Sequence, residues 1–432
     1  MHQTNFDLNL DKITKVEGAA SLEVRVSNGK VEHVHFKITQ FKRFYTQAMR
    51  GRSVLNIPQL LSRICGTCSN AHLICSIEAA EKTLGLEISP QTLLMRILTM
   101  YSLMIRDHAL HLYLFTLPDI FNKDSFLEFD ESDPIQHQLL HDAFEIKAAG
   151  NYLSTIIAGR SVHAPYPVIG GFIHFPVKEE ISEAVKKLKA ARPAVLRLID
   201  ILKDTPFHFD RRTNFVALIG RRFDFLRGKI ISSRGVSIPE EKFGEHLEHV
   251  VMPYSQASGY EFKGEPYMVG ALARINLARD KLHSETKKSL AKILNFFPST
   301  DIFYNNLAQA IEILHCLDDS IEILENNKFK SEPIIKPLFK ESAGVGVIEA
   351  PRGTLYHKLV ADKNGIVKEG EIVVPTGQNQ INIEKDIAQL VNELIPKMPK
   401  DKIAFEIEKL IRAYDPCMSC ASHFLKVNWT ER

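Results

Sequence analysis

Cysteine is scarce in this chain, with six among 432 residues. So few thiols exclude a disulfide scaffold, and a reducing compartment is the simpler expectation. Tryptophan occurs once, at Trp429. An excess of either charge is also missing: 54 Lys and Arg stand against 52 Asp and Glu, a formal net charge of +2. That balance excludes the footprint of a nucleic-acid binder or a basic membrane-surface protein. Basic runs such as VKKLKAARP lie on helical patterns as solvated faces. No stretch offers the ~18 uncharged apolar residues that a bilayer crossing needs. The most apolar one, LLMRILTMYSLMIRDHALHLYLFTL, is broken by Arg96, Arg106 and Asp107 and reads as a long buried helix. The opening MHQTNFDLNLDKITK has no apolar core of a signal peptide. Internal repeats and low-complexity linkers are lacking too.

What is present is ordinary globular material, 45% hydrophobic and 25% charged, long enough for two or three structural units. ASLEVRVSNGKVEHVHFKIT alternates apolar and polar residues around Asn28-Gly29, which predicts an antiparallel hairpin over Ala20 to Thr39. TLYHKLVADKNGIVKEGEIVVP predicts a second, turning at Asn364-Gly365. Helical periodicity runs from Ser69 to a stop at Gly85. It resumes at an N-cap, Ser89, followed by Pro90, and continues to just before Pro118. Further helices are expected over His137–Gly159, Glu179–Leu202, Arg279–Phe296, Asn305–Asn326, Ile383–Leu394 and Lys402–Ala413. Phe207 to Met268 reads as mixed. The expected class is α+β, mainly α, with a central bundle of long buried helices and peripheral β-hairpin subdomains. Four segments are expected: 1–60 with the first hairpin, 61–205 as helical core, 206–335 mixed and helical, and 336–432 with the second hairpin and the C-terminal helices.

Four of the six cysteines fall in two C-x-x-C pairs, Cys65 and Cys68 in LSRICGTCSN, and Cys417 and Cys420 in AYDPCMSC. Cys68 stands where a helix begins, and exposed N–H groups there favour thiolate, with Arg63 nearby. Pro416 ends the preceding helix and directs the chain into Cys417. Brought together, two such clips give four soft ligands, suited to zinc, iron–sulfur, copper(I) or nickel. Zinc clips usually lie within about 20 residues of each other, which weakens a zinc-ribbon reading here without excluding it. Neither pair has the βαβ context of a thioredoxin-like motif. Cys75 and Cys316 are isolated on apolar helix patterns and read as core filler. If one centre takes the other four thiols, the chain cannot also ligate a four-cysteine cluster.

RICGTC followed by DPCMSC, with a histidine three residues on, resembles the two metal-binding motifs of the large subunit of nickel–iron hydrogenases. The resemblance spans essentially the whole chain. ITKVEGAASLEVRV is similar to that family's glutamate hairpin, RDHALHLY to its central helix, EAPRGTL to its arginine segment and VVPTGQN to the loop after it. It implies a catalytic subunit that splits dihydrogen heterolytically and reversibly into a hydride and a proton. Cys65 and Cys417 would be terminal nickel ligands, and Cys68 and Cys420 would bridge to an iron carrying carbon monoxide and cyanide. Glu17 would be the proton gate. Arg352 would sit over the open position, paired with Asp107 and Asp415, the former sharing a helix face with His111. Pro351 and Thr376 would hold the diatomic ligands, and His72 would hydrogen-bond a bridging sulfur. His163, in SVHAPYPVIGGF, lies in a further similar segment and is given no role.

Two departures stand out. Tyr45 occupies the place of a glutamate that helps hold an accessory magnesium or iron ion, although His423 matches that ion's C-terminal ligand. FLKVNWTER follows His423, where the family's maturation protease cuts after nickel insertion, so the chain either is a precursor or keeps its tail. The implied partners are an iron–sulfur small subunit, nickel-insertion factors and that protease. Further flavin or iron–sulfur subunits would couple to NAD(P), a deazaflavin or ferredoxin. Compact length, LHLYLFTLPD and NNLAQAIEIL resemble the cytoplasmic, cofactor-coupled enzymes. The competing readings are a non-catalytic scaffold like the related subunit of respiratory complex I, and a zinc-stabilised structural subunit.

Overall fold

The structure, a computed structural model, describes residues 5–41, 43–395 and 397–422. Alternating side chains around Asn28-Gly29 form the expected hairpin, Ala20–Ser27 against Lys30–Ile38, with both turn residues at positive φ (51° and 73°). A strand not foreseen in the sequence, Phe6–Leu10, pairs antiparallel with Ala20–Ser27 and completes a three-stranded sheet. The loop between these two strands carries Glu17.

Four long helices form the core: Pro90–His111, Pro134–Ala158, Lys178–Lys203 and Tyr304–Asn326. Each packs on the next and the last on the first, closing a four-helix ring. Pro90–His111 is apolar on nearly every face because it is enclosed on all sides, as its sequence indicated. It does not stop before Pro118. One π-helical turn, Leu112–Thr116, follows, and then a short helix, Leu117–Ile120, which accepts Pro118 in its first turn, where no N–H is required.

Ser69–Leu84, ended by Gly85 in the left-handed region, lies across a second antiparallel sheet made of Ser342–Ala350, Gly353–Ala361 and Val367–Val373. Glycine permits this contact: a Cβ on Gly346 would come within 2.2 Å of the Cys75 carbonyl oxygen. The first two strands are joined by two residues alone, Pro351 and Arg352. Asn214–Ile219, Lys229–Ser232 and Ser237–Pro239 form a further sheet, extended by the parallel Tyr267–Met268.

Two expected helices differ. Arg279–Phe296 breaks into three short pieces, Arg279–Lys281, Ser284–Ser289 and Ile293–Phe296. The His283 side chain caps the middle piece, while Leu282 and Leu290 bend inward to be buried. The helix expected at Ile383 starts instead at Pro375 and runs to Leu394. Its first turn is buried yet polar, so hydrophobic periodicity could not reveal it: Gln378 Nε2 donates to Thr354 O at 2.6 Å and Asn379 Oδ1 accepts from Val269 N at 2.9 Å. The fold is therefore mixed, dominated by helices, with small sheets at the periphery.

Candidate metal centre

The two C-x-x-C pairs, 352 residues apart, meet. Cys65 follows a helical turn, Ser62–Ile64, and Cys68 occupies the N-cap of Ser69–Leu84. Cys417 occupies the same position on a short helix, Met418–Ala421. Cys65 Sγ lies 3.5 Å from Cys417 Sγ, and Cys420 Sγ lies 3.0 Å from both Cys68 Sγ and Cys417 Sγ. All four sulfurs fall within 4.8 Å of one another. None is in a disulfide, and each residue is at most 4% exposed.

Arg43, which the sequence did not single out, ties the two motifs together: one nitrogen, Nη2, donates to Ile64 O at 2.8 Å and to Ser419 O at 2.9 Å. Close approach continues at Gly18, where φ is 84° and a Cβ would meet Met418 Cβ at 2.8 Å. That contact brings in Glu17. Its Oε2 accepts from Cys417 Sγ at 3.0 Å and Ser419 N at 3.1 Å, and its Oε1 accepts from Ser419 Oγ at 2.6 Å. Thr376 Oγ1 accepts the Cys417 N–H at 2.9 Å.

Across the cluster, Arg352 donates from Nη1 to Asp107 Oδ2 at 2.8 Å and from Nη2 to Asp415 Oδ1 at 3.0 Å. Gln309 joins this group by donating to Asp415 Oδ2 at 3.0 Å while facing His111 Nδ1 at 2.6 Å. Arg274, almost wholly enclosed, holds the Pro351–Arg352 turn from beneath. It donates to Ala350 O and Pro351 O, each at 3.0 Å, and is balanced by Glu312 and Glu349. His72 Nε2 is 3.6 Å from Cys420 Sγ, and its Nδ1 is 3.3 Å from His357 Nε2. Nearby, Tyr45 donates its hydroxyl to Arg63 O at 2.7 Å, and His163 Nδ1 lies 3.0 Å from Ser62 O. His423 lies outside the described residues.

Four thiols this close cannot all ionise on their own. Cys65 is held well below the usual thiol range, first by its hydrogen bond with Cys417, then by those with Cys420 and Cys68. Burial drives Cys417 and Cys420 well above it. At Cys68 the downward pull of the Cys417 and Cys420 thiols is outweighed by Cys65 and by burial, so its pKa rises rather than falling as its place at a helix start suggested. The donor set fits a cationic, thiophilic centre: it is soft, enclosed and anionic when ligating. Asp107 Oδ1 and Arg352 Nε, both buried, also have no hydrogen-bond partner among the described residues. By contrast, Cys75 donates to Gly346 O at 3.3 Å and, like Cys316, is raised well above the usual range by burial, as expected of core thiols.

A family profile for nickel-dependent hydrogenases matches residues 43–138 and 240–423, a span that takes in both thiol pairs. The chain belongs to the nickel-dependent hydrogenases. The alpha subunit of sulfhydrogenase 2 from Pyrococcus furiosus is 32% identical over 97% of this chain and 100% of its own length. One polypeptide of the F420-non-reducing hydrogenase of Methanothermobacter thermautotrophicus is 28% identical over 96% and 94%. In fold, the chain is similar to an NAD+-reducing [NiFe]-hydrogenase (TM-score 0.83, 22% identity, 97% and 99% covered). It is similar also to the Ni-Fe-Se hydrogenase of D. vulgaris Hildenborough (TM-score 0.80, 21% identity, 97% and 100% covered). The hydrogenase expectation holds: this is a catalytic subunit of that family, with a buried four-cysteine metal site, and its counterpart is an iron–sulfur subunit.

Proposed function

We propose that Cys65, Cys68, Cys417 and Cys420 hold a nickel–iron pair, with Cys65 and Cys417 terminal on nickel and Cys68 and Cys420 bridging to an iron that carries carbon monoxide and cyanide. The convergence of four buried thiols from opposite ends of the chain carries this reading. When bound, such a pair supplies the Lewis acidity that makes dihydrogen acidic and a store for its two electrons. The polypeptide supplies the rest. Cys417 Sγ is the first proton acceptor and Glu17 Oε2, 3.0 Å away, the second. Ser419 fixes that carboxylate through its N–H and hydroxyl, and Glu17 is only half-buried, so a proton taken there can move outward. Arg352 keeps its charge, because Asp107 and Asp415 outweigh burial and hold it well above its ordinary range. It acts as a fixed electrostatic donor over the cluster. His72 restrains Cys420, and the Pro351–Arg352 turn with Thr376 forms the cradle for the diatomic ligands.

With Cys75 and Cys316 isolated in the core, this chain has no thiols left for an electron-carrying cluster, so electrons leave through the iron–sulfur small subunit. Beyond it, flavin or further iron–sulfur subunits would deliver them to NAD(P), a deazaflavin or ferredoxin in the cytoplasm. None of the described helices is long and apolar enough to cross a membrane. An accessory magnesium or iron ion would have to do without a carboxylate at position 45. Cleavage after His423 by a maturation protease would follow nickel insertion. Infrared spectroscopy of the anaerobically purified complex, with metal analysis, tests the centre. Carbon monoxide and cyanide bands are expected from the complex, and near-equal nickel and iron from the isolated loaded chain; zinc alone and no bands would overturn it.

A further inference from the structure

The outer face of the N-terminal sheet carries donors that hydrogen chemistry does not use. Glu23, on Ala20–Ser27, lies directly opposite His35 on Lys30–Ile38, and His33 stands two residues before His35, on the same face. One donor atom from each falls within 4.8 Å of the others. His33 Nε2 is already 3.3 Å from Glu23 Oε1, and a tetrahedral zinc about 2.1 Å from each ligand sets its donors about 3.4 Å apart. The imidazoles are arranged as a stack. His33 and His35 have ring centroids 4.4 Å apart, and His35 lies 4.0 Å from Tyr254, whose hydroxyl is anchored on Glu384 at 2.9 Å.

We propose that Glu23, His33 and His35 form a second metal site, for a divalent cation of the zinc or nickel class, separate from the cysteine centre. Two imidazoles and one carboxylate are borderline ligands, suited to zinc, nickel or copper rather than magnesium or calcium. Burial, then the neighbouring His33, holds His35 below its ordinary range, and the hydrogen bond from Lys37 holds the Glu23 carboxyl at about 2. Lys37 Nζ, 2.5 Å from Glu23 Oε2, is the competitor, on a long, partly exposed side chain that can swing aside. A bound cation would join the two strands whose root, at Ala20, continues from the Glu17 loop.

Zinc titration of the purified, nickel-loaded complex by calorimetry tests this. It is best done in a H137A/H141A background, because that exposed pair, 3.2 Å apart, is another zinc trap. One binding event is expected, weakened at least tenfold by His35→Ala and by Glu23→Gln. Lys37→Met should tighten it several-fold, which a purely structural hairpin would not do. Nickel and iron contents should stay constant across these variants, so the outcome is independent of the cysteine centre. An undiminished event in the His33→Ala/His35→Ala variant, or no event in the parent complex, overturns the site.

Discussion

Glu17 leaves the N-terminal sheet on a loop, yet among the described residues its carboxylate accepts from the C-terminal motif, from Cys417 Sγ and from the N–H and hydroxyl of Ser419. In Glu17→Gln the amide retains the size and some of the hydrogen bonds but cannot take a proton. We expect hydrogen–deuterium exchange to fall at least a hundredfold, the scale of a lost general base, while the carbon monoxide and cyanide bands persist. Near-normal exchange in that variant would remove Glu17 from the proton route. Cys417→Ser should behave differently and lose nickel as well as exchange, because a hydroxyl is a far poorer ligand for a soft metal. Metal analysis separates the two outcomes. The thiols were legible in the sequence because their spacing is rare, and Glu17 and Arg352 because short motifs surround them. Arg43, Gln309 and Arg274 were not. Each is an unremarked residue whose partners are carbonyls, carboxylates or, for Gln309, an imidazole distant in sequence, visible only once the fold has brought them near.

Elements as well as side chains position the site. The Pro351–Arg352 turn rests on Arg274, so Arg274→Leu would leave Glu349 buried without its counterion and Glu312 with only the His108 imidazole beside it. A loss of about 3–5 kcal/mol is expected, read as a lowered melting temperature; an unchanged melting point would show the turn to be held by the sheet alone. The Pro375–Leu394 helix is pinned to the N-terminal sheet by Glu384, which accepts from Phe36 N at 2.9 Å. Burial pushes this carboxyl up to about 7. A raised carboxyl means that the native state binds the extra proton, so stability declines as pH climbs from about 4.5 through 7. Glu384→Gln should therefore be more stable than the parent at pH 8, by a value on the order of 2 kcal/mol, with the gap closing below pH 5. Melting curves at the two pH values check this, and a gap independent of pH would refute it. The sequence announced long elements with clean periodicity and missed the short or polar ones. The first strand does alternate, Phe6-Asp7-Leu8-Asn9-Leu10, but over five residues with no tight turn beside it, and the opening turn of Pro375–Leu394 is buried through polar side chains.

The molecule as a whole is a clasp. One continuous apolar core includes residues from Leu8 to Ala421, and Cys65 and Cys417 are both part of it. With its remaining thiols buried and separate, the loaded chain should exchange hydrogen and deuterium by itself but reduce neither NAD nor a deazaflavin. Robust reduction by the purified chain alone would show an electron path that these residues do not provide. Closing a loop of 352 residues with a metal-bound pair restricts the unfolded polypeptide much as a disulfide does, by roughly 6 kcal/mol in the chain-entropy picture. It also imposes a schedule on biogenesis. Cys65 and Cys68 are made 352 residues before Cys417 and Cys420, so a metal held by all four thiols cannot be sealed in until the later pair has been synthesised and has docked on the earlier one.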